Sequence, residues 1–199
     1  MRQNQLQETP YQVRLLHTNE IDTLYSLNQR VAYDPASRHL LRPRSVDYLM
    51  KCLDPRTGFT VGAFHQEALI GYRAVHYTAK ALHEIPHQLV AKEQYSKVVY
   101  FAGITVLPEY QGQGLASRML KETLNMLKSK GFRYVTVGCN FTNQASIRLL
   151  MKHGFKTVYL GKPVEVCYKV CYLLNDLLEK AKPAEVPAST VFQDQTNTL

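Results

Sequence analysis

The chain has 199 residues, 45% of them hydrophobic, which suffices for one domain with a proper core and is short for two. Lys and Arg total 24 against 16 Asp and Glu; the net charge of +8 favours anionic partners, but no long basic run occurs, so no nucleic-acid partner is expected. The four cysteines lack metal-type pairing with histidines, no stretch approaches the ~20 apolar residues of a membrane span, and MRQNQLQETP has no signal-peptide core, so the expectation is a soluble, cytoplasmic chain without a metal site.

Residues 1–10 read as a flexible lead-in to a domain over 11–175, with 176–199 as a flexible tail lacking periodicity. Tyr11 to Leu16 alternates as a first strand. Thr18 is placed to cap a helix carrying Ile21, Leu24, Leu27 and Val31. Tyr33 to Arg44 holds two prolines and reads as a solvated loop, with a second helix over Ser45 to Leu53. Phe59 to Phe64 and Ala68 to Thr78 pattern as a hairpin. The following 79–97 is long for a hairpin connection; within it, 81–94 reads as a functional flap. His83 and His87 there are four apart, but Pro86 breaks the helix that a metal pair would need.

Val98 to Leu107 (VVYFAGITVL) is a buried strand pattern with one internal Gly that suits a bulge. Pro108 stops it, and Gln111, Gly112, Gln113 and Gly114 form a loop directly before a helix that ends near Lys130. Backbone N–H groups there can converge at a positive helix end, which makes an anion cradle. A nucleotide-hydrolase loop would need a Lys after Gly114, and a dinucleotide fingerprint would need Gly or Ala at Ser117 and an acid ending the next strand; none is present. Ala116, Leu120, Leu124 and Leu127 stripe one helix face, and Tyr134 to Asn140 is the next strand, parallel to that at Val98 by crossover length. Asn143 or Thr142 caps a helix stopped by Gly154. Strands over Phe155 to Leu160 and Val164 to Leu174 follow; Cys167 and Cys171, on one face of the latter, are too far apart for a local disulfide.

Gln111, Gly114 and Ala116 spell Q-x-x-G-x-A, preceded by Val106 and Pro108; downstream, Asn143, Ser146, Leu149, Lys152, Gly154 and Phe155 spell N-x-x-S-x-x-L-x-x-K-x-G-F. These two blocks, in this order, resemble the pyrophosphate loop and the pantetheine-side helix of the GNAT family of acetyl-CoA-dependent N-acetyltransferases. The resemblance covers about residues 11–173. It implies an α+β fold: a mixed sheet with helices on both faces and one parallel strand pair splayed around the cofactor. It further implies acetyl-CoA as co-substrate, held by Ile104, Thr105 and Val106 on the strand, by Gln111, Gly112, Gln113, Gly114, Leu115, Ala116 and Ser117 at the loop, and by Asn143. An amine of a small molecule or protein would be the acceptor, and the chain a monomer or homodimer.

The catalytic residues stay unassigned. Many family members place a Tyr after the Leu of the second block, where this chain has Leu150; others carry a Glu where it has Tyr100 or Gly138. Tyr100 could order a water or simply pack in its strand, and His76, Tyr159 and Cys139 are further candidates. These departures keep open a non-catalytic CoA-binding regulatory module of the same fold.

Overall fold

A computed structural model describes residues 10–38, 40–77, 90–161 and 170–179. Its elements are β1 (Tyr11–Leu15), α1 (Ile21–Ala32), α2 (Val46–Leu53), β2 (Gly58–His65), β3 (Ala68–His76), β4 (Val98–Val106), α3 (Leu115–Ser129), β5 (Tyr134–Asn140), α4 (Gln144–Lys152), β6 (Lys156–Gly161) and β7 (Val170–Asp176). Among the described residues the strands make one seven-stranded sheet in the order β1-β2-β3-β4-β5-β7-β6. In it β4 and β5 run parallel, and the other neighbouring pairs are antiparallel.

Local chemistry explains most element ends. The Ser45 side chain accepts from the Tyr48 N–H at the start of α2, and that of Asn143 from the Ser146 N–H at the start of α4, each satisfying an otherwise orphaned donor. Gly131 and Gly154 follow α3 and α4 with φ of +78° and +88°, the left-handed stop that glycine adopts without a Cβ clash. Thr18 does not cap α1. It lies inside a 3-10 turn, Thr18–Glu20, and Glu20 takes the terminal role: its carboxylate accepts the His17 N–H at 2.8 Å and pairs with Arg14 at 2.8 Å.

Side-chain alternation along β3 assigns the helices to the two faces. Tyr72 points to α1, where Asn28 Nδ2 donates to its hydroxyl at 2.7 Å. Gly71 points the other way, toward Met119 of α3. The α3 stripe is as expected at Leu120, Leu124 and Leu127, joined by Leu115 and Met119, whereas Ala116 is only partly buried. Asn28 also accepts the Arg44 N–H at 2.8 Å through Oδ1, so one fully buried amide ties the α1–α2 connection to the sheet. Arg44 is correspondingly not a solvated loop residue: its guanidinium lies 4.6 Å over the Tyr48 ring, while Arg38 and Arg42 are exposed.

Two features of β4 open the sheet. Its register with β3 steps from Ala74 opposite Gly103 to Val75 opposite Phe101, which leaves Ala102 as a bulge beside the glycine. Its parallel pairing with β5 covers only Val98, Val99 and Tyr100, opposite Tyr134, Val135 and Thr136, although both strands continue well beyond. The strands therefore split after Tyr100. At the C-terminal end, β7 runs to Asp176 and Leu177 is buried, so the folded chain extends past residue 175. The readings of 1–9, His83, His87, Cys167, the tail from 180 onward and most of the flap at 81–94 lie outside the described residues.

Candidate active site

One groove of about 390 Å³ runs from the split to the glycine loop, within the size range of ligand clefts. Ile104, Thr105 and Val106 form its floor, and Gln111, Gly112, Gly114, Leu115, Ala116 and Ser117 its far end. Asn143, Ser146 and Leu149 of the α4 segment make one wall; Val31, Ser37, Leu40 and Leu41 make the other. Ten of the eleven residues read as cofactor contacts thus line a single cavity. Gln113 is the exception: its carboxamide oxygen accepts from the Tyr11 hydroxyl, so its side chain ties the loop to β1. The place of the Val31 to Leu41 wall depends on where the Asn28 amide anchors the loop.

The loop has the geometry of an anion cradle. Gly112 and Gly114 have φ of +77° and +76°, and a Cβ built on either would meet no atom within 4 Å, so both face open space. Gly114 directly precedes α3, and the first helical bond runs from the Arg118 N–H to the Gly114 carbonyl at 3.0 Å. The N–H groups of Leu115, Ala116 and Ser117 therefore have no carbonyl within the helix to bond. Gln111 takes a structural part, its Nε2 donating to the Val106 carbonyl at 3.0 Å and fixing the end of β4 to the loop. Ser117 Oγ lies 2.6 Å from Nε2 of His153, at the end of α4. Burial, with help from Lys152 and Lys121, lowers the His153 pKa below its usual 6.5 and favours the neutral ring.

The residues considered for proton transfer divide between the two faces. His76 and Tyr100 are cross-strand neighbours, with the Tyr48 ring stacked on His76 at 6.2 Å, and neither lines the groove. Cys139 is buried on the opposite face, its Sγ 3.5 Å from Ser146 Oγ, and burial raises its thiol pKa, so it is a neutral thiol at pH 7. Tyr159 belongs to β6 at the sheet edge, beyond β7 and away from the split. Leu150, at the position of the family's usual acid, is 1% exposed and buried in the core; Leu149 faces the groove instead.

Sequence reasoning passed over Arg73. It is 1% exposed, its guanidinium carbon sits 3.4 Å from the Phe101 ring centroid, and its Nε and Nη2 have no hydrogen-bond partner among the described residues. Burial pulls its pKa down to about 9, which still leaves it cationic at pH 7. The available signal was a lone Arg inside the otherwise apolar run ALIGYRAVH, at a position in phase with buried Gly71 and Val75.

A mixed sheet that splits one parallel pair beside a glycine loop is the architecture of the N-acetyltransferases. The chain aligns with the ribosomal-protein-S18-alanine N-acetyltransferase of Escherichia coli at a TM-score of 0.64 and 14% identity, covering 90% of this chain and 99% of that one. It aligns with yncA of Salmonella typhimurium, a structure with its cofactor acetyl-CoA, at a TM-score of 0.64 and 16% identity, over 88% and 98% of the two chains. The acetyltransferase (GNAT) family model matches residues 19–155, and the chain belongs to that family. In sequence it is 32% identical over 124 residues to the tRNA(Met) cytidine acetyltransferase TmcA of Saccharolobus islandicus, a match that spans 57% of this chain and 16% of that protein.

Proposed function

We propose that the protein transfers an acetyl group from acetyl-CoA to a primary amine. The observation that carries this reading is the continuity of the groove, in which a split between two parallel strands leads directly to a cradle of unpaired N–H groups. An extended thioester with a pyrophosphate at one end matches both halves. The N–H groups of Leu115, Ala116 and Ser117 would bind the pyrophosphate, and the open space at Gly112 and Gly114 would let it approach the backbone. Polar backbone groups of Ile104, Thr105 and Val106 would bind the pantetheine arm, with Asn143 and Ser146 on the facing wall. Acetyl-CoA supplies an activated acyl group. The chain supplies position, which accounts for much of the rate in such transfers, and exclusion of water by the apolar wall of Leu40, Leu41 and Leu149.

The acceptor is an amine of a small molecule or protein. The likeness to a cytidine acetyltransferase adds one class to the panel, a weakly basic exocyclic amine of RNA. Calorimetry with acetyl-CoA, followed by release of free CoA across α-amines, ε-amines and cytidine, tests the proposal. Acetyl-CoA binding with turnover on one class supports it. Binding without turnover on any class supports the regulatory module instead, which the absence of Glu at positions 100 and 138 and of Tyr at 150 permits.

A further inference from the structure

A cation inside a protein is stabilised by an anion or by a full set of hydrogen bonds, and the described residues give Arg73 neither. No ion pair among the described residues includes it, and two of its nitrogens are buried without a partner. Among the described residues the titratable groups whose fields reach it are Cys139, Tyr100 and Tyr72, none of them a carboxylate. Replacing such a residue by an apolar one of similar volume is often stabilising. Its retention in the core therefore calls for an anion that the described residues do not supply.

The position of the guanidinium indicates where that anion arises. It covers the ring of Phe101, the first β4 residue beyond the last parallel pair, Tyr100 opposite Thr136. Across the split on β5 is Cys139, which interacts electrostatically with Arg73 and contacts Ser146 of the groove wall. The cation thus sits at the head of the split and is linked to the groove wall through Cys139 and Ser146. The buried, apolar Leu150 supplies no proton donor.

We propose that Arg73 is the electrostatic group for thiolate departure, its orphan N–H donors taking up the negative charge that develops on the thioester sulfur as the acetyl group leaves. This rests on the reading of the groove as the acetyl-CoA site. In the step, the neutral amine lone pair forms the C–N bond, the C–S bond breaks, and its electron pair stays on sulfur as a thiolate. The acceptor nitrogen loses one proton to water, and the thiolate remains opposite Arg73 until CoA dissociates. No oxidant or further reactant is needed. An unpaired cation in a low-dielectric site interacts far more strongly with a charge that appears during reaction than with a neutral thioester. It therefore stabilises the transition state in preference to the ground state.

The test reads the ionisation of bound CoA rather than turnover. Calorimetry of CoA and of desulfo-CoA, each in buffers of different ionisation enthalpy at mildly alkaline pH, counts protons released on binding. The parent protein is expected to release a proton with CoA and none with desulfo-CoA. Arg73→Met is expected to lose that release, to bind desulfo-CoA within about twofold of the parent, and to melt no lower than the parent, because an unpaired buried charge has been removed. Arg73→Gln, uncharged but still polar, repeats the loss should the Met variant fail to fold. With acceptor present, kcat is expected to fall about 100-fold or more at unchanged acetyl-CoA affinity, as for loss of one charge-stabilising donor. Release of the proton by the uncharged variants, or no release by a parent that binds both ligands, overturns the role of Arg73 and leaves the groove reading intact. Failure of the parent to bind either ligand overturns the groove reading and this inference with it.

Discussion

Ser117 in the first turn of α3 and His153 at the end of α4 meet at 2.6 Å, which joins the glycine loop to the helix that forms the facing wall. The contact spans 36 residues of sequence and ties α3 to α4 through an imidazole.

That imidazole brings a pH dependence. Burial, then Lys152 and Lys121, depress the folded pKa of His153 below 6.5, so the unfolded chain binds the proton more readily than the folded one. This residue's contribution to stability is therefore fully present above about pH 6.5 and is lost as pH falls through the lower, folded pKa. Thermal melts at pH about 7.5 and about 5.5 check it: the parent is expected to lose more stability on acidification than His153→Gln. Equal losses would remove His153 from the balance.

Gly114 tests the cradle. A Cβ there meets no protein atom within 4 Å, so a side chain would not clash with the protein but would occupy the space that the phosphate needs, at φ +76°. Gly114→Val is expected to cost about 1–2 kcal/mol in stability from the left-handed backbone. It is also expected to weaken acetyl-CoA binding by about tenfold or more, the equivalent of about 1.4 kcal/mol. Calorimetry showing parental affinity would mean that the loop is not the phosphate site.

Position 150 is a packing site in this chain. Leu150→Tyr places a larger, polar side chain where Leu is 1% exposed, and overpacking of this kind costs about 1–3 kcal/mol. The expected result is a lower melting temperature and no gain in kcat. A raised kcat would show that the residue reaches the thioester after all.

The acceptor's own basicity is expected to govern the rate. At pH 7 a lysine side chain is neutral in about 1 molecule in 2500, a cost of about 4.6 kcal/mol, whereas an α-amine with a pKa near 8 costs about 1.4, a difference of roughly 200-fold. With Tyr100 and Gly138 where a Glu would serve as base, the chain is expected to favour α-amines or other weakly basic amines. The rate, kcat/KM, is then expected to rise with unit slope in pH up to the acceptor's pKa. A plateau set by an enzyme pKa near 6 to 7, the same for acceptors of different basicity, would reveal an enzymic base and remove this dependence on the acceptor.

Features with local causes were legible in the sequence. Gly112 and Gly114 were readable because a left-handed φ before a helix asks for glycine, Asn143 because a short side chain must satisfy the N–H of Ser146, and Gly154 because α4 must stop. The crossover between Val98 and Tyr134 was also readable, since its length permits only parallel strands. The end of their pairing at Tyr100 and Thr136, the meeting of Ser117 with His153, and the wall from Val31 to Leu41 were decided by the tertiary structure alone. Each depends on partners distant in the chain, and residue preferences encode local backbone geometry rather than which surfaces meet. Arg73 shows the division at one residue. Its place in a strand came from its apolar neighbours, while its burial as an unpaired cation above Phe101 exists only once β3, β4 and β5 have come together.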